Sequence, residues 1–273
     1  MQMDVDGSAS DELLAASDAN RAAFWTAYGR GQGCALQATP EVVWFYTGIP
    51  DPLLNGVLSA ELTPEGVKAT VDTLQAKIDA QGAPVFWWVG PRSRPDDLGT
   101  LLERYGLQPA GEIPGMAIDL ELVGPLRETV AGFSIKKVID VEMQRLWAQT
   151  AAVGTEFPPA AAEAMARVEA TLSGADYEAQ RRYIGYLHGA PVATAALVLD
   201  SGVAGIYAVA TVPDARRKGL GRIMTVTALL EAKEGGYQVG ILQASPMGYP
   251  IYQRMGFREV CKYRTYLQAG KES

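Results

Sequence analysis

The amino-acid sequence predicts an α+β (mixed α/β) fold in which helices flank a mixed, mostly antiparallel sheet. The first supporting observation is a series of three β-rich runs separated by short polar breaks, at 181–187, 192–199 and 203–212. Such spacing is typical of an antiparallel meander. The second observation is a set of amphipathic segments before and after the meander. Apolar residues make up 48% of the 273 residues, so the chain can bury a sizeable core, and its length favours two domains.

The first half of the chain alternates helical and β-rich segments. A proline just after a threonine marks a helix start at Thr63, and Gly82 marks its end. The run 84–89 is short and fully apolar, which is consistent with a central strand. The predicted elements are a helix through Phe24 and Tyr28, a strand over 41–49, a helix from 63 to 82, a strand over 84–89, a helix over 96–105 and a strand over 115–122.

The second half begins with a strand and two helices before the meander. After the meander, apolar residues at helical spacing predict a long helix, and Gly256 ends a short one. The predicted elements around the meander are a strand over 133–138, helices over 141–152 and 159–172, a helix over 217–234, a strand over 239–244, a helix over 249–255 and one long or two short strands over 257–267.

A polar stretch punctuated by Gly-Pro and Ala-Gly steps separates the two halves. We therefore expect an N-terminal domain over residues 1–123, a linker over 124–132 and a C-terminal domain over 133–270. The segment 101–107 aligns with 251–257, which favours an internal repeat. The alternative is that any helix ended by glycine and followed by an apolar residue shows this pattern.

Charge and composition exclude several classes of protein. The chain has 24 Lys and Arg against 31 Asp and Glu, a net charge of -7, so a dedicated nucleic-acid binder is not expected. Two cysteines without a CxxC pair and a single histidine argue against a metal site. No apolar run approaches the roughly 18 residues of a membrane span, and we expect a soluble cytoplasmic protein without membrane partners.

The single histidine, His188, lies between two β-rich runs and precedes a glycine, which favours a turn. The alternative is a catalytic general base. If His188 is a turn residue, the chain has no histidine for a Ser-His-Asp or Cys-His catalytic site. Cys261 lies in a predicted strand without a His or Lys partner, so we interpret it as a buried structural thiol. Trp44, Trp87 and Trp88 are expected in the core.

A basic, glycine-containing segment leads from the third meander strand directly into an amphipathic helix. Glycines let the backbone approach a ligand closely, and the amides and dipole of a helix N-terminus attract anions. The ligand that such a segment would bind is a phosphate or pyrophosphate. The segment is neither the dinucleotide fingerprint nor a Walker loop, and the alternative is a helix start that happens to be basic. Its residues are Arg216-Arg217-Lys218-Gly219-Leu220-Gly221.

This segment resembles the pyrophosphate loop of the GNAT superfamily of acetyl-CoA-dependent acyltransferases, which reads [QR]-x-x-G-x-[GA]. A later family signature is a tyrosine four residues before Gly-Phe, and Tyr252 stands four before Gly256. The resemblance covers about 133–268. Residues 24–122 look like a degenerate second copy, as in similar tandem proteins.

The resemblance implies a sheet that splays between its fourth and fifth strands, with acetyl-CoA in the gap. Tyr252 would protonate the departing CoA thiolate, and an N–H near Val209 would polarise the thioester carbonyl. The acetyl group would pass directly to an amine of a small molecule, peptide or protein. The cofactor-binding residues implied are Val209, Ala210, Thr211, Arg216, Arg217, Lys218, Gly219, Leu220, Gly221, Arg222 and Ser245.

The sequence departs from the family pattern at several positions. The run 203–212 contains no carboxylate, so the general base is unassigned. Glu156 and Phe157 fall where the family's substrate-specificity loop lies and are candidate substrate contacts. The alternative is a solvated carboxylate beside an anchoring phenylalanine. Ser245 stands where asparagine is common.

The first half has Leu102 at the position of Tyr252 and lacks the glycine loop, so we expect it to be non-catalytic. It would cover the sheet and shape the acceptor site, or mediate contacts in a homodimer. The main hypothesis is an N-acetyltransferase. The alternatives are a catalytically silent CoA-binding or sensor module and, more remotely, an unrelated nucleotide-phosphate binder.

Overall fold

Eleven strands form one continuous sheet in the computed structural model, which describes residues 10–126, 129–173 and 179–269. The strands are β1 (Ala35–Ala38), β2 (Val42–Tyr46), β3 (Asn55–Ala60), β4 (Val85–Val89), β5 (Gln108–Asp119), β6 (Phe133–Lys137), β7 (Gln180–Leu187), β8 (Ala190–Asp200), β9 (Val203–Thr211), β10 (Val239–Gln243) and β11 (Arg258–Gln268). The α-helices are α1 (Asp11–Gly29), α2 (Pro64–Gln81), α3 (Leu98–Arg104), α4 (Val141–Gly154), α5 (Pro159–Glu169), α6 (Leu220–Glu234) and α7 (Tyr249–Met255).

The order of strands in the sheet is β1-β2-β3-β4-β11-β5-β10-β9-β8-β7-β6. The pairs β3–β4 and β9–β10 are parallel, and the other neighbouring strands are antiparallel. The predicted α+β class, with a mixed and mostly antiparallel sheet, is therefore confirmed.

The two halves of the chain exchange their last strands. The final strand, β11, lies between β4 and β5 of the first half, and β5 lies between β11 and β10. The sheet is thus continuous across the predicted linker, and the division at 124–132 stays a prediction. Residues 1–9, 127, 128, 174–178 and 270 of the predicted domains and linker lie outside the described residues.

Local sequence signals account for most element boundaries. The side chains of Ser10, Thr63 and Asp140 accept hydrogen bonds from backbone amides in the first turns of α1, α2 and α4. Gly82 and Gly256 end their helices with positive φ angles. These short-range interactions explain why the predicted helices lie close to the observed ones.

Several segments differ from the expectations, and one of them is β5, which spans Gln108–Asp119 rather than 115–122. Strands β1 and β3 were not anticipated, because β1 is short and β3 begins with Asn55-Gly56 and carries only two large apolar residues. Helix α1 spans 19 residues rather than a short segment. Helix α6 begins at Leu220 instead of residue 217, since Arg217 and Gly219 both have positive φ angles, 63° and 78°.

Helices cover both faces of the sheet. One core cluster packs α6 against the second half of the sheet, another packs α1, α4 and α5 on the opposite face, and a third lies around α2 and α3. Trp44, Trp87 and Trp88 are buried, as predicted. No helix among the described residues is long and apolar enough to cross a membrane.

His188 lies in the predicted turn, whereas Cys261 is less buried than predicted. His188 is exposed in the turn between β7 and β8, where its φ is 51°. Cys261 is half-buried in β11. Burial raises the pKa of the Cys261 thiol, which makes the nucleophilic thiolate scarcer.

Asn20 is one of the residues that anchor helix α1 of the first half on the second half. The amide nitrogen of Asn20 lies 3.0–3.1 Å from the carbonyl oxygens of Val198, Asp200 and Val203. Its side-chain oxygen accepts a 2.8 Å hydrogen bond from the Tyr207 hydroxyl. A Cβ at Gly205 would overlap this oxygen, so the close approach requires glycine. Helix α1 therefore covers the face of the sheet at β8 and β9.

Replacing Asn20 by alanine is expected to lower the free energy of unfolding by about 2–4 kcal/mol, since a fully buried hydroxyl and several carbonyls lose their partner. Urea denaturation measures the loss. Tyr207→Phe, which removes one donor and leaves the Asn20 amide bonded, should cost less. A loss below about 1 kcal/mol for Asn20→Ala would mean that water or neighbouring groups replace these bonds.

Candidate active site

The sheet opens between β9 and β10. These parallel strands pair only at Gly240–Ala204 and Ile241–Gly205, near the start of each strand. Beyond this point no strand of the described chain pairs with the β10-facing edge of β9. Backbone donors and acceptors along 207–211 are therefore available to a ligand. This opening between the fourth and fifth strands of the second half agrees with the expected splayed sheet.

A bulge in β9 redirects the backbone at the opening. The register with β8 shifts between Thr194–Ala210 and Ala196–Tyr207, so β9 holds one extra residue. Ala208 has a φ of 47°. The Thr194 hydroxyl donates a 2.8 Å hydrogen bond to the Ala208 carbonyl and holds the bulge in place.

The residues predicted to line a pantetheine arm lie directly after this bulge. Val209 and Thr211 are half-buried at the opening, and Ala210 is buried. Their contact with a cofactor stays a prediction.

The glycine loop after β9 forms the start of α6. Arg217 and Gly219 adopt the left-handed conformation, and Gly219 is the N-terminal cap of the helix. The Ile223 amide donates the first backbone hydrogen bond of the helix, to the carbonyl of the cap residue Gly219 (3.0 Å). The preceding amides of Leu220 and Gly221 lie in the first turn, where a helix supplies no acceptor.

Positive charge surrounds these amides. Arg217 and Lys218 are exposed, and neither has an ion-pair partner within 10–126, 129–173 or 179–269. Arg222 is half-buried in the first turn of α6. The loop has the donors and the charge needed for an anion such as pyrophosphate.

Gly221 connects the loop to the open edge of β9. A Cβ built on Gly221 would lie 3.7 Å from Val209 Cγ1 and 3.8 Å from Thr211 Oγ1. The helix start and the strand edge therefore face the same space. A ligand on the loop amides can continue along β9.

Arg216 holds the loop against the end of α4. Its Nε donates to the Thr211 carbonyl (3.1 Å), and its Nη2 donates to the Gly154 carbonyl (3.0 Å) and to Glu156 Oε2 (2.9 Å). A Cβ on Gly154 would come within 2.8 Å of Ala210 Cβ, so α4 and β9 approach closely here. The predicted phosphate ligand Arg216 is thus engaged in a structural clamp.

The sequence did not reveal the clamp, because its partners lie about 60 residues apart and no local motif joins them. Glu156 was predicted as a substrate contact. Its carboxylate is 61% exposed, pairs with Arg216, and sits on a residue with a φ of 59°. Phe157 packs against the cluster around α4, and its amide donates to the Ala152 carbonyl. A substrate role for either residue stays a prediction.

Tyr252 lies on α7, and its hydroxyl is close enough to Thr225 on α6 to interact with it electrostatically. The Thr225 hydroxyl donates to the Gly221 carbonyl in the first turn of α6 (2.9 Å). Burial raises the pKa of Tyr252 to about 12, and the neighbouring Thr225 side chain opposes the rise. The ring packs edge-on against Phe257 at 5.6 Å. Near neutral pH the hydroxyl therefore keeps its proton and can donate it.

Ser245 lies between β10 and α7. Its hydroxyl accepts a 3.1 Å hydrogen bond from the Gly248 amide, and its carbonyl accepts from Tyr249 N (2.9 Å). This exposed residue stabilises the turn that precedes α7. Its predicted contact with a cofactor stays a prediction.

The first half has a corresponding opening that its own backbone bridges. Strands β3 and β4 pair at Gly56–Phe86 and Val57–Trp87 and then diverge. The Arg94 amide donates to the Ala60 carbonyl (2.7 Å), and the Leu62 amide donates to the Arg94 carbonyl (3.2 Å). The loop after β4 therefore occupies the gap between these strands.

The aligned helix ends have the same geometry in both halves. The Leu107 amide donates to the Leu102 carbonyl and the Phe257 amide to the Tyr252 carbonyl, both at 3.0 Å. Leu102 is fully buried, so it provides packing at the position where the second half has a hydroxyl.

Residues 184–260 match the family of acetyltransferase (GNAT) domains. The matched range contains the bulged strand β9, the glycine loop and Tyr252. No curated protein is significantly similar to the sequence.

Solved structures share the fold over most of the chain. A GCN5-related N-acetyltransferase from Kribbella flavida is 19% identical, with a TM-score of 0.62, and the match covers 93% of this chain and 96% of that protein. A GCN5-related N-acetyltransferase from Sphaerobacter thermophilus is 15% identical over 95% of both chains, with a TM-score of 0.58. A tandem GNAT protein from the clavulanic acid biosynthesis pathway is 14% identical, covers 89% of this chain and 85% of its own, and has a TM-score of 0.58.

Proposed function

We propose that this chain moves an acetyl group from acetyl-CoA directly to the amine of an acceptor, and the match of residues 184–260 to the acetyltransferase (GNAT) domain family supports this proposal. The observation that carries the proposal is the convergence of three features at one opening of the sheet. These are the unpaired edge of β9, the amide-rich start of α6 and the protonated hydroxyl of Tyr252.

Acetyl-CoA would supply the activated thioester, and the chain would hold it at two places. The amides from Arg217 onward and the charges of Arg217 and Lys218 would bind the pyrophosphate. The open edge of β9 would hydrogen-bond the pantetheine arm as an added strand. The fit is supported by the 3.7–3.8 Å spacing between a Cβ on Gly221 and the side chains of Val209 and Thr211.

The reaction needs positioning, an oxyanion donor and a proton for the leaving group. The neutral amine attacks the thioester carbonyl, a C–N bond forms and the C–S bond breaks. The backbone N–H near Val209 stabilises the oxyanion. Tyr252 gives its proton to the thiolate, and the amine proton leaves to solvent. No covalent nucleophile takes part, in agreement with the raised pKa of Cys261.

The first half would serve the reaction without binding a second CoA. Its gap is bridged through Arg94, and Leu102 replaces the tyrosine. Helix α1 covers the sheet beside β9 through Asn20. The acceptor would be an amine of a small molecule, peptide or protein, and the net charge of -7 favours cationic or neutral acceptors.

A silent CoA-binding or sensor module is the second candidate. The observation that favours it is the absence of a carboxylate from β9, which leaves the general base unassigned. A screen of amines with acetyl-CoA, read by release of free CoA thiol and by product mass, distinguishes the two. CoA-dependent thermal stabilisation without turnover on any amine would support the sensor.

Glu156→Gln is expected to tighten CoA binding by about two- to fivefold at low salt, because it removes an exposed carboxylate 2.9 Å from Arg216. The difference should shrink as salt screens the charges. Titration calorimetry measures the Kd. Glu163→Gln is the matched control, since Glu163 also pairs with an arginine, Arg167, on α5. Equal changes of the Kd in both variants would mean that the effect arises from the net charge and not from the ion pair with Arg216.

A further inference from the structure

The direction of the amides along β9 is set by its pairing with β8. The Val212 amide donates to the Val192 carbonyl (2.9 Å), and in an antiparallel ladder the hydrogen-bonded pairs recur at every second residue. The N–H and C=O of Ala210, which pairs with Thr194, therefore face β8. Those of the preceding residue, Val209, face the other edge of β9, where the sheet opens.

The bulge adds a residue at this point, and its carbonyl lies outside the regular ladder. Ala208 is one of the two residues that the register shift leaves between the paired residues Tyr207 and Ala210. Its φ of 47° is unfavourable for alanine, and such a conformation persists only where surrounding contacts hold it. The contact here is the Thr194 hydroxyl, which donates to the Ala208 carbonyl (2.8 Å). Thr194 is fully buried, so solvent does not readily replace this donor.

The same hydrogen bond fixes the direction of the Val209 N–H. The Ala208 carbonyl and the Val209 N–H belong to one peptide group, and in a planar trans peptide they point in opposite directions. The carbonyl is held by a residue of β8, so the N–H points away from β8, towards the opening. The ladder and the side-chain contact thus give the same direction independently. Without the hydroxyl, the carbonyl would turn towards another donor, and the N–H would turn with it.

We propose that Thr194 is a positioning residue for acetyl transfer, whose hydroxyl holds the 208–209 peptide so that the Val209 N–H faces the thioester carbonyl of acetyl-CoA. The inference rests on the proposed function. Thr194 does not touch the ligand and acts through Val209. It adds to the site a residue of β8, a strand from which the sequence predicted none.

The test records the carbonyl stretching band of acetyl-CoA bound to the full chain, by infrared spectroscopy with a heavy carbon isotope at the acetyl carbonyl. Donation from the Val209 N–H polarises this carbonyl, as an oxyanion donor must, and lowers its stretching frequency. We expect the band to lie at higher frequency in Thr194→Val than in the wild type, because valine keeps the shape of threonine and removes the hydroxyl. An identical band in both proteins would overturn the proposal. The measurement needs no acceptor amine.

Two further variants separate positioning from general loosening of the sheet. Thr194→Ser keeps the hydroxyl and should keep the wild-type band. Thr265→Val is the matched control, since Thr265 is also buried, lies at a register shift and donates to a carbonyl of the neighbouring strand, that of Gly111 (3.1 Å). It should lower the Tm and leave the band unchanged. A shift in Thr265→Val as large as that in Thr194→Val would contradict the positioning role.

Kinetics and affinity supply a second readout. On an amine that proves to be an acceptor, kcat of Thr194→Val should fall about 10- to 100-fold, less than the roughly 100- to 1000-fold cost of removing one oxyanion donor. The KM for acetyl-CoA should change little, and the Kd of CoA, which has no acetyl carbonyl, should match that of the wild type. An equal loss of affinity for CoA and acetyl-CoA, with no change in kcat, would assign Thr194 to the strand edge alone.

Failure of the proposed function looks different from failure of this inference. A wild-type chain that binds no acetyl-CoA would overturn both, whereas a bound thioester whose band does not respond to Thr194→Val would overturn the positioning role alone. If Thr194→Val does not fold, Thr194→Cys decides the matter, because a thiol is a weak donor. Its band should lie above that of the wild type, and an unchanged band would contradict the proposal.

Discussion

Turnover is expected to fall by roughly 10- to 10,000-fold when Tyr252 is replaced by phenylalanine, the range that surrounds the usual contribution of one general acid. Phenylalanine keeps the edge-on packing with Phe257 and loses only the hydroxyl. The fold and the affinity for CoA should therefore survive. The measurement is the rate of thiol release on any amine that proves to be an acceptor.

The dependence of rate on pH distinguishes a general acid from a packing residue. The pKa of Tyr252, about 12, keeps its hydroxyl protonated throughout an assay from pH 6 to 9. The wild-type rate should therefore rise with pH only as the amine loses its proton. Tyr252→Phe should be partly rescued at high pH, because a thiol with a pKa near the value of about 8.5 for cysteine then leaves more easily as a thiolate. Thr227→Val, which removes another hydroxyl from α6, is the control.

Unchanged turnover of Tyr252→Phe at every pH would assign the tyrosine to packing alone. The sensor alternative would then gain support. A loss of CoA affinity together with turnover would instead indicate that the hydroxyl organises the first turn of α6 through Thr225 and Gly221.

Gly221→Asp is expected to abolish the stabilisation of the protein by CoA. At about 100 times its Kd, a ligand adds about 2.7 kcal/mol to the free energy of unfolding, a rise in Tm of roughly 5 to 10 °C for a chain of this size. The introduced carboxylate would lie beside Val209 and Thr211, against the proposed pyrophosphate site. Differential scanning fluorimetry with and without CoA measures the effect.

The structure makes this variant interpretable, because a Cβ at Gly221 meets only ordinary van der Waals contacts. An acidic residue in the first turn of a helix also favours the helix, so the unliganded variant should fold. Gly221→Ala is the matched control and should keep most of the Tm rise. Equal rises in wild type and Gly221→Asp would contradict the site assignment. Arg216→Ala, combined with Gly221→Asp, removes the clamp to α4 as well as a charge.

The glycine loop and Tyr252 were predictable because each is a local pattern with a direct physical meaning. The positive φ of Gly219 and the cap at Gly256 follow from glycine's lack of a Cβ. The sequence predicts the start of α6 three residues too early, since the basic run 216–218 fits a helix and only the positive φ angles of Arg217 and Gly219 exclude it. The sequence does not predict strand β3, because Asn55-Gly56 resembles a turn more than a strand.

The sequence by itself determined the caps, the turn at His188, the meander and the glycine loop before α6, because these depend on interactions within a few residues. Only the tertiary structure decided the exchange of β5 and β11, the placement of α1 on β9 through Asn20 and the Arg216–Glu156 clamp. These contacts join residues as far as 187 positions apart. Such pairings are selected by burial and backbone hydrogen bonding over the whole sheet, and no short segment encodes them.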